Sequence, residues 1–199
     1  MKRFLNFKKK WLFLMLFIVW FYHSCVFHKI THMNGEELEW ITNRQKGEIL
    51  YFKSQYGDLD TVVIYSTHIY NSLNPINFEH FETGRTESLA GGAVQYYFSD
   101  MDGVQGYFGI IKLHNGEPLQ VSGHLFYRFV SDAGAPLKLS SINIGDITLD
   151  DVILFDDNNL KPIDPEKSDN PVLEYAWSKK YGLVQYKFLD GTIFSRIDI

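Results

Sequence analysis

The sequence predicts a mainly β protein: a single antiparallel β domain of about ten strands with little helix. A sandwich, a closed barrel and a curved open sheet (half-barrel) all satisfy that pattern. Three observations predict it. Apolar residues alternate with period two, as in Leu183–Leu189, where Val184, Tyr186 and Phe188 share one face and Gln185 and Lys187 lie on the other. Beyond residue 24, 24 of 175 residues are Phe, Tyr or Trp, a density that favours pleated sheet. Short turn signals separate the runs at close intervals.

The elements follow in order. Glu36–Asn43 fits either a turn or two of helix or a first short strand. Glu48–Ser54 and Asp60–Tyr70 are strand runs joined through Tyr56-Gly57-Asp58, which predicts a hairpin. Residues 71–92 carry Pro75, Gly84, Gly91 and Gly92 with no sustained period, and are expected to form an irregular loop pinned by Phe78 and Phe81. Ala93–Ser99, Gly106–Leu113 and Leu119–Val130 resume the strand rhythm, the last two flanking Asn115-Gly116, a strong hairpin dipeptide. Leu137–Ile144 and Asp146–Phe155 meet at Gly145. Residues 156–171 are polar and proline-containing, a second expected loop. Val172–Trp177, Leu183–Leu189 and Thr192–Ile197 close the chain, the last two joined by Asp190-Gly191. Strands linked this way pair antiparallel with their chain neighbours.

The N-terminus has a different chemistry. Lys2, Arg3, Lys8, Lys9 and Lys10 precede Trp11–Tyr22, an unbroken apolar run of twelve residues. A bilayer-spanning helix needs roughly 20 such residues and a secretory signal about 7 to 15. Residues 1–24 are therefore expected to be a signal peptide, with the only cysteine, Cys25, directly after it. An exported chain with one thiol cannot form an internal disulfide, and acylation removes that thiol's liability. The alternatives are an uncleaved anchor extended through Cys25, Val26 and Phe27, or an ordinary cleaved signal. Residues 25–35 then form a lipid-proximal tether and residues 36–199 the exported β domain.

The box Tyr22-His23-Ser24-Cys25, the pair of runs SSINIGDITLDDVILF and the closing string YGLVQYKFLDGTIFSRI together resemble small lipoproteins of Bacteroidota-type bacteria. Ser24 suits the residue before cleavage; Tyr22 and His23 depart from the stricter box. The resemblance covers the signal and about the last 60 residues, and its motifs are turn glycines and alternating apolar positions. It implies Cys25 as an S-diacylglycerol, N-acylated cysteine, an outer-membrane location facing the periplasm or the surface, and no catalytic residues. Asp60-Thr61-Val62 also resembles the short O-glycosylation acceptor of that group.

Charge narrows the partners. Removing residues 1–24 takes away five basic residues and no acidic ones, so the formal charge moves from −5 to −10. That disfavours nucleic acid, which needs a basic footprint, and leaves the lipid at Cys25 as the membrane partner. A protein or glycan partner is not specified. Six histidines follow residue 24: His28, His32, His68, His80, His114 and His124. None stands in an HExxH arrangement, and CxxC is absent. His68 and His124 lie in strand runs that could face one another.

Asp150, Asp151, Asp156, Asp157, Asn158, Asn159, Asp164, Glu166 and Asp169 make a ligand-rich stretch, but without EF-hand spacing. GxSxG is absent too, and no carboxylate pair stands out among 24 acidic residues. The expectation is a non-enzymatic structural or binding protein without metal or cofactor. The other readings are a carrier whose barrel-like cavity takes a small apolar ligand or glycan, and an enzyme acting on envelope glycans. For a carrier, Tyr96, Tyr97, Phe98, Tyr107, Phe108, Phe126, Tyr127 and Phe129 are the lining candidates, with plain core as the simpler role.

Overall fold

The computed structural model describes residue 15 and residues 29–70, 87–99, 105–126, 128–130, 135–156, 158, 160–162 and 170–199. The expected signal apart from residue 15, together with Cys25, His28, residues 71–86 with His80, Tyr127, Asp157, Asn159 and residues 163–169, lies outside the described residues. Among the described residues no helix is long and apolar enough to cross a membrane.

The strands are β1 (Lys29–Ile30), β2 (Ile49–Ser54), β3 (Leu59–Ile69), β4 (Glu87–Ser88), β5 (Ala90–Phe98), β6 (Gln105–Lys112), β7 (Gln120–Leu125) and β8 (Arg128–Val130). They continue as β9 (Ala135–Pro136), β10 (Ser140–Ile144), β11 (Ile147–Phe155), β12 (Leu160–Pro162), β13 (Val172–Ser178), β14 (Gly182–Phe188) and β15 (Ile193–Arg196). One helix, α1 (Gly35–Thr42), precedes β2. The principal sheet runs β10-β11-β13-β14-β15-β2-β3-β5-β6-β7-β8-β12, with β9 also paired to β7. Every pairing in it is antiparallel; β1 and β4 form a separate two-residue parallel pair.

This sheet is a curled half-barrel, and the ring contacts show how far it curls. β13 and β6 stand six strands apart in the order, which is about 29 Å across a flat sheet. Yet Trp177 of β13 stacks on Phe108 of β6 with centroids 4.3 Å apart. Tyr96 stacks on the same indole at 5.6 Å, and Phe155 of β11 meets Phe108 edge-on at 6.4 Å. The inner faces of distant strands therefore share one core. Glycines make room for its largest rings: a Cβ on Gly106 would overlap the Tyr96 ring, and one on Gly123 would crowd the Tyr175 hydroxyl at 2.8 Å. Alternation decides which residues enter. Tyr96 and Phe98 are buried while Gln95 and Tyr97 face out.

α1 covers one end of this core. Asn34 caps it through a capping box: its side chain accepts from the Glu37 N–H, and the Glu37 carboxylate accepts from the Asn34 N–H, both at 2.8 Å. Trp40 and Ile41 point into the core, and Gly92 lets the helix approach, since a Cβ there would stand 2.7 Å from Ile41. Glu37 also accepts two hydrogen bonds from Lys112 of β6, at 2.7 and 2.9 Å, tying helix to sheet.

The structure decides one open reading and departs from the sequence expectations in four places. Glu36–Asn43, open between helix and strand, is helical across most of its length. The run 119–130 is two strands: the backbone turns at Phe126, φ +48, and β8 folds back on β7. That left-handed conformation is unusual for a phenylalanine, and packing holds it, with the Phe126 ring 4.5 Å from Phe98. Residues 90–92 of the expected loop 71–92 belong to β5, where Gly91 and Gly92 lack side chains because Tyr70 and Ile41 occupy that space. Residues 160–162 of the expected loop 156–171 form β12, held by buried Leu160. The expected tether 25–35 is built into the domain from Lys29 onward, with Thr31 and Met33 buried.

Candidate functional site

The sheet curls, but among the described residues its two end strands, β10 and β12, do not pair, and the chain crosses between the ends after β9. Leu137 N–H donates to the Leu119 carbonyl at 3.0 Å, and residues 137–139 then lead into β10 at the opposite end of the strand order. β10 and the first half of β11 form an arm. Only Val152–Phe155 of β11 pair with β13, so Ile147–Asp151 run on past that strand.

A β-bulge sets the arm's direction. Ile142 pairs with Leu149 and Ser140 with Val152, so one extra residue is accommodated around Asp150 and Asp151. The bulge exchanges faces: Leu149 joins Val152, Ile144, Ala176 and Val184 in a second apolar cluster, while Ile153 and Phe155 enter the main core. Asp151 fixes the bend. It accepts from the Ser178 hydroxyl at 3.0 and 3.1 Å and from the Lys180 N–H at 2.8 Å, and its carbonyl accepts from the Lys179 N–H at 3.0 Å.

Between α1, the arm, the 179–181 turn and the crossing segment lies an open groove of about 770 Å³. Its floor is apolar: Trp40, Leu119, Leu137, Leu139, Ile147 and Leu149. Leu139 is 54% exposed and Ile147 41%, large aliphatic side chains left facing water. Its rim is charged, with Glu36, Glu37, Asp150 and Asp151 on the acidic side and Lys179 and Lys180 on the basic. Size and lining match a site that holds an apolar body and orients it by polar edges.

The rim carboxylates are already acceptors. Glu37 takes Lys112 and Asp151 takes Ser178 and Lys180, as above. Asp150 takes the Ser141 hydroxyl at 2.5 Å, and Glu36 and Glu39 lie 3.6 and 3.1 Å from the Lys179 ammonium.

The sequence-predicted residues are scattered rather than gathered. His68 and His124 are separated by β5 and β6, and His124 instead stacks on Tyr107 at 6.1 Å. His32 and His114 are exposed. Asp156 accepts from Asn158, at 2.9 and 3.0 Å. Among the described residues no three His, Cys, Asp or Glu side chains are placed to hold a metal ion. Of the aromatic candidates, Tyr96, Phe98, Phe108 and Phe126 are core, while Tyr97 and Tyr107 lie on the outer face. The space between the walls of the half-barrel is occupied by rings. Thr61 of the glycosylation-like triplet sits within the ladder opposite Tyr51, with Val62 fully buried and the Asp60 carboxylate accepting from the Tyr186 hydroxyl.

A second charged cluster lies behind the 179–182 turn. Buried Arg44 donates to the Lys180 and Tyr181 carbonyls at 2.6 and 2.8 Å, and buried Arg196 also donates to Tyr181. Burial lowers the Arg44 pKa while Glu48 opposes that shift. Burial raises Asp198, but the bonds from Arg196 outweigh it and hold the carboxyl below its ordinary range. These groups lock the turn that forms one wall of the groove.

The groove was missed in the sequence because its floor comes from four separate segments. One signal was present: Leu149-Asp150-Asp151-Val152 breaks the period-two alternation, as a bulge does. The chain matches no family model, and no curated protein or solved structure is significantly similar to it.

Proposed function

We propose that this chain is an exported lipoprotein, acylated at Cys25 after removal of residues 1–24, that serves as a non-enzymatic binding domain at an outer membrane. The groove between α1 and the arm is its binding surface. The observation that carries the binding role is the exposed aliphatic floor, Leu139 and Ile147 above all, set inside a charged rim. Each of these two keeps about half of its surface in water, which forgoes about half of the roughly 1.5–3 kcal/mol that full burial gives and that an occupant recovers. The anchoring role rests on the basic start, the twelve-residue apolar run and the solitary cysteine. Two or three acyl chains hold a protein durably where one does not.

Metabolic labelling with a clickable fatty acid tests the anchor: label in the parent and none in Cys25→Ala is expected, and equal label in both overturns it. For the groove, a photo-crosslinking residue at position 139 is expected to capture a partner that the same residue at exposed Tyr56 does not. Identical capture at both positions overturns the binding role.

The structure also bears on the carrier reading. With the interior filled by Tyr96, Phe108, Phe155, Tyr175 and Trp177, an apolar ligand has the groove rather than a lumen to enter.

A further inference from the structure

The end of the domain at which the chain enters is pinned, and this limits how the protein can stand on a membrane. Thr31 is fully buried and its hydroxyl donates to the Leu113 carbonyl at 3.3 Å. Asn115, at the tip of the β6–β7 turn, donates to the Ile30 carbonyl and accepts from the His32 N–H, both at 2.9 Å. The Asn34 cap follows at once and starts α1. From Lys29 on, the backbone is therefore part of the fold and adds nothing to the tether's reach.

We infer that the domain stands on the bilayer with its helix-bearing end inward: the β6–β7 turn, α1 and the mouth of the groove face the membrane surface, and the β2–β3 turn points away. The inference rests on acylation of Cys25. Three residues, 26–28, separate Cys25 from Lys29, and the four backbone steps from Cys25 to Lys29 span at most about 14 Å. β5 alone, nine residues long, extends about 30 Å, which at a barrel strand's tilt of about 40° is still roughly 20 Å of height between the two ends. A tether of that reach cannot invert a body of that height. An eleven-residue tether, as the sequence suggested, spans about 38 Å and would leave orientation free.

The consequence concerns the groove's partner. Asn34, Glu36, Glu37 and Pro118 line its near side, on the same end as β1. An occupant is met at the membrane surface, so a membrane-associated partner is favoured over a freely diffusing one.

Energy transfer tests this on the full chain, made in a host that acylates Bacteroidota-type lipoproteins. With Cys25 blocked by lipid, Glu117→Cys at the β6–β7 end and Tyr56→Cys at the far turn each give one free thiol, both at exposed positions. Each is labelled with a donor dye and added to phosphatidylethanolamine vesicles holding a small fraction of headgroup-rhodamine lipid. Transfer from position 117 is expected to be several-fold that from position 56. Inserting a long Gly/Ser stretch directly after Cys25 is expected to remove the difference. Equal transfer from both positions of an acylated protein overturns the orientation and leaves the lipoprotein reading intact. A protein that takes up no acyl label overturns both.

Discussion

The half-barrel body and the arm that bends away from it are made of the same kinds of residue, yet they are held very differently. In the body, Trp177 has no exposure and touches rings from β5 and β6, strands far from its own. In the arm Ile147 faces water, as does Leu139 just before it, and the small cluster around Ile144 and Leu149 is closed by Tyr181 and Ile199 at its margin. The body's conformation is set many times over. The arm's rests on a bulge, one carboxylate and that small cluster. That contrast marks the body as scaffold and the arm's concave side as the surface with binding capacity to spare.

The comparison breaks most sharply at single core rings. Trp177→Ala is expected to cost about 3–5 kcal/mol in chemical denaturation, whereas Ile147→Ala is expected to change stability by less than about 0.5 kcal/mol. Similar losses from both would mean the arm is packed as tightly as the body.

Alkaline pH tests the body alone. Burial raises the phenol pKa of Tyr96, Tyr175 and Tyr186 above 10.0, with Asp60 adding to the shift at Tyr186 and Tyr96 to that at Tyr175. Above about pH 10 the unfolded chain loses these protons and the folded chain keeps them, so the native state binds more protons and stability falls with pH. Three such groups give a slope of about 4 kcal/mol per pH unit, fully regained below pH 10. The tyrosinate absorbance of these three phenols should therefore appear only with unfolding. Ionisation of every tyrosine ahead of unfolding would contradict the burial.

Asp151→Ala is the corresponding test of the arm. It leaves the Ser178 hydroxyl without its carboxylate acceptor and takes from the Lys180 N–H one of its two acceptors, at about 1–3 kcal/mol. Amide exchange should speed up mainly in Ser140–Leu149 and the 179–181 turn. Uniform acceleration across β5 and β6 would show that the arm and body unfold as one.

The smallest effect sharpens the picture of the core. Among the described residues the Tyr175 hydroxyl and Trp177 Nε1 have no hydrogen-bond partner, so ring stacking carries this part of the core. Tyr175→Phe removes one unpaired group and keeps the stack on Phe155. Stability near neutral pH should hold or rise by up to about 1 kcal/mol, and the alkaline slope should drop by a third. A clear loss near neutral pH would reveal a partner for that hydroxyl.

Much of the strand content was legible because period-two alternation and turn dipeptides are local. Asn115-Gly116, Gly57, Gly145, Gly182 and Asp190-Gly191 each mark a turn that the structure contains, with positive φ at every one of those glycines. The Phe126 turn carried no such mark, since its backbone is held by a distant ring rather than by its own residue type. Gly91 and Gly92 misled in the opposite direction: they look like loop residues and are strand residues beneath Tyr70 and Ile41. The groove was least legible, as no local pattern links Trp40, Leu119, Leu139 and Ile147.

By itself the sequence determined the β class, the antiparallel hairpins, the acidic domain and the distinct chemistry of its first 25 residues, because each follows from near neighbours in the chain. Only the tertiary structure decided that β15 pairs with β2, joining the last strand to the first long one, and that the sheet curls until Trp177 meets Phe108. It also decided that the chain is anchored into the fold from Lys29. Those outcomes depend on partners that lie more than fifty residues away in the chain, and hydrophobic burial has no local signature of which face will meet which.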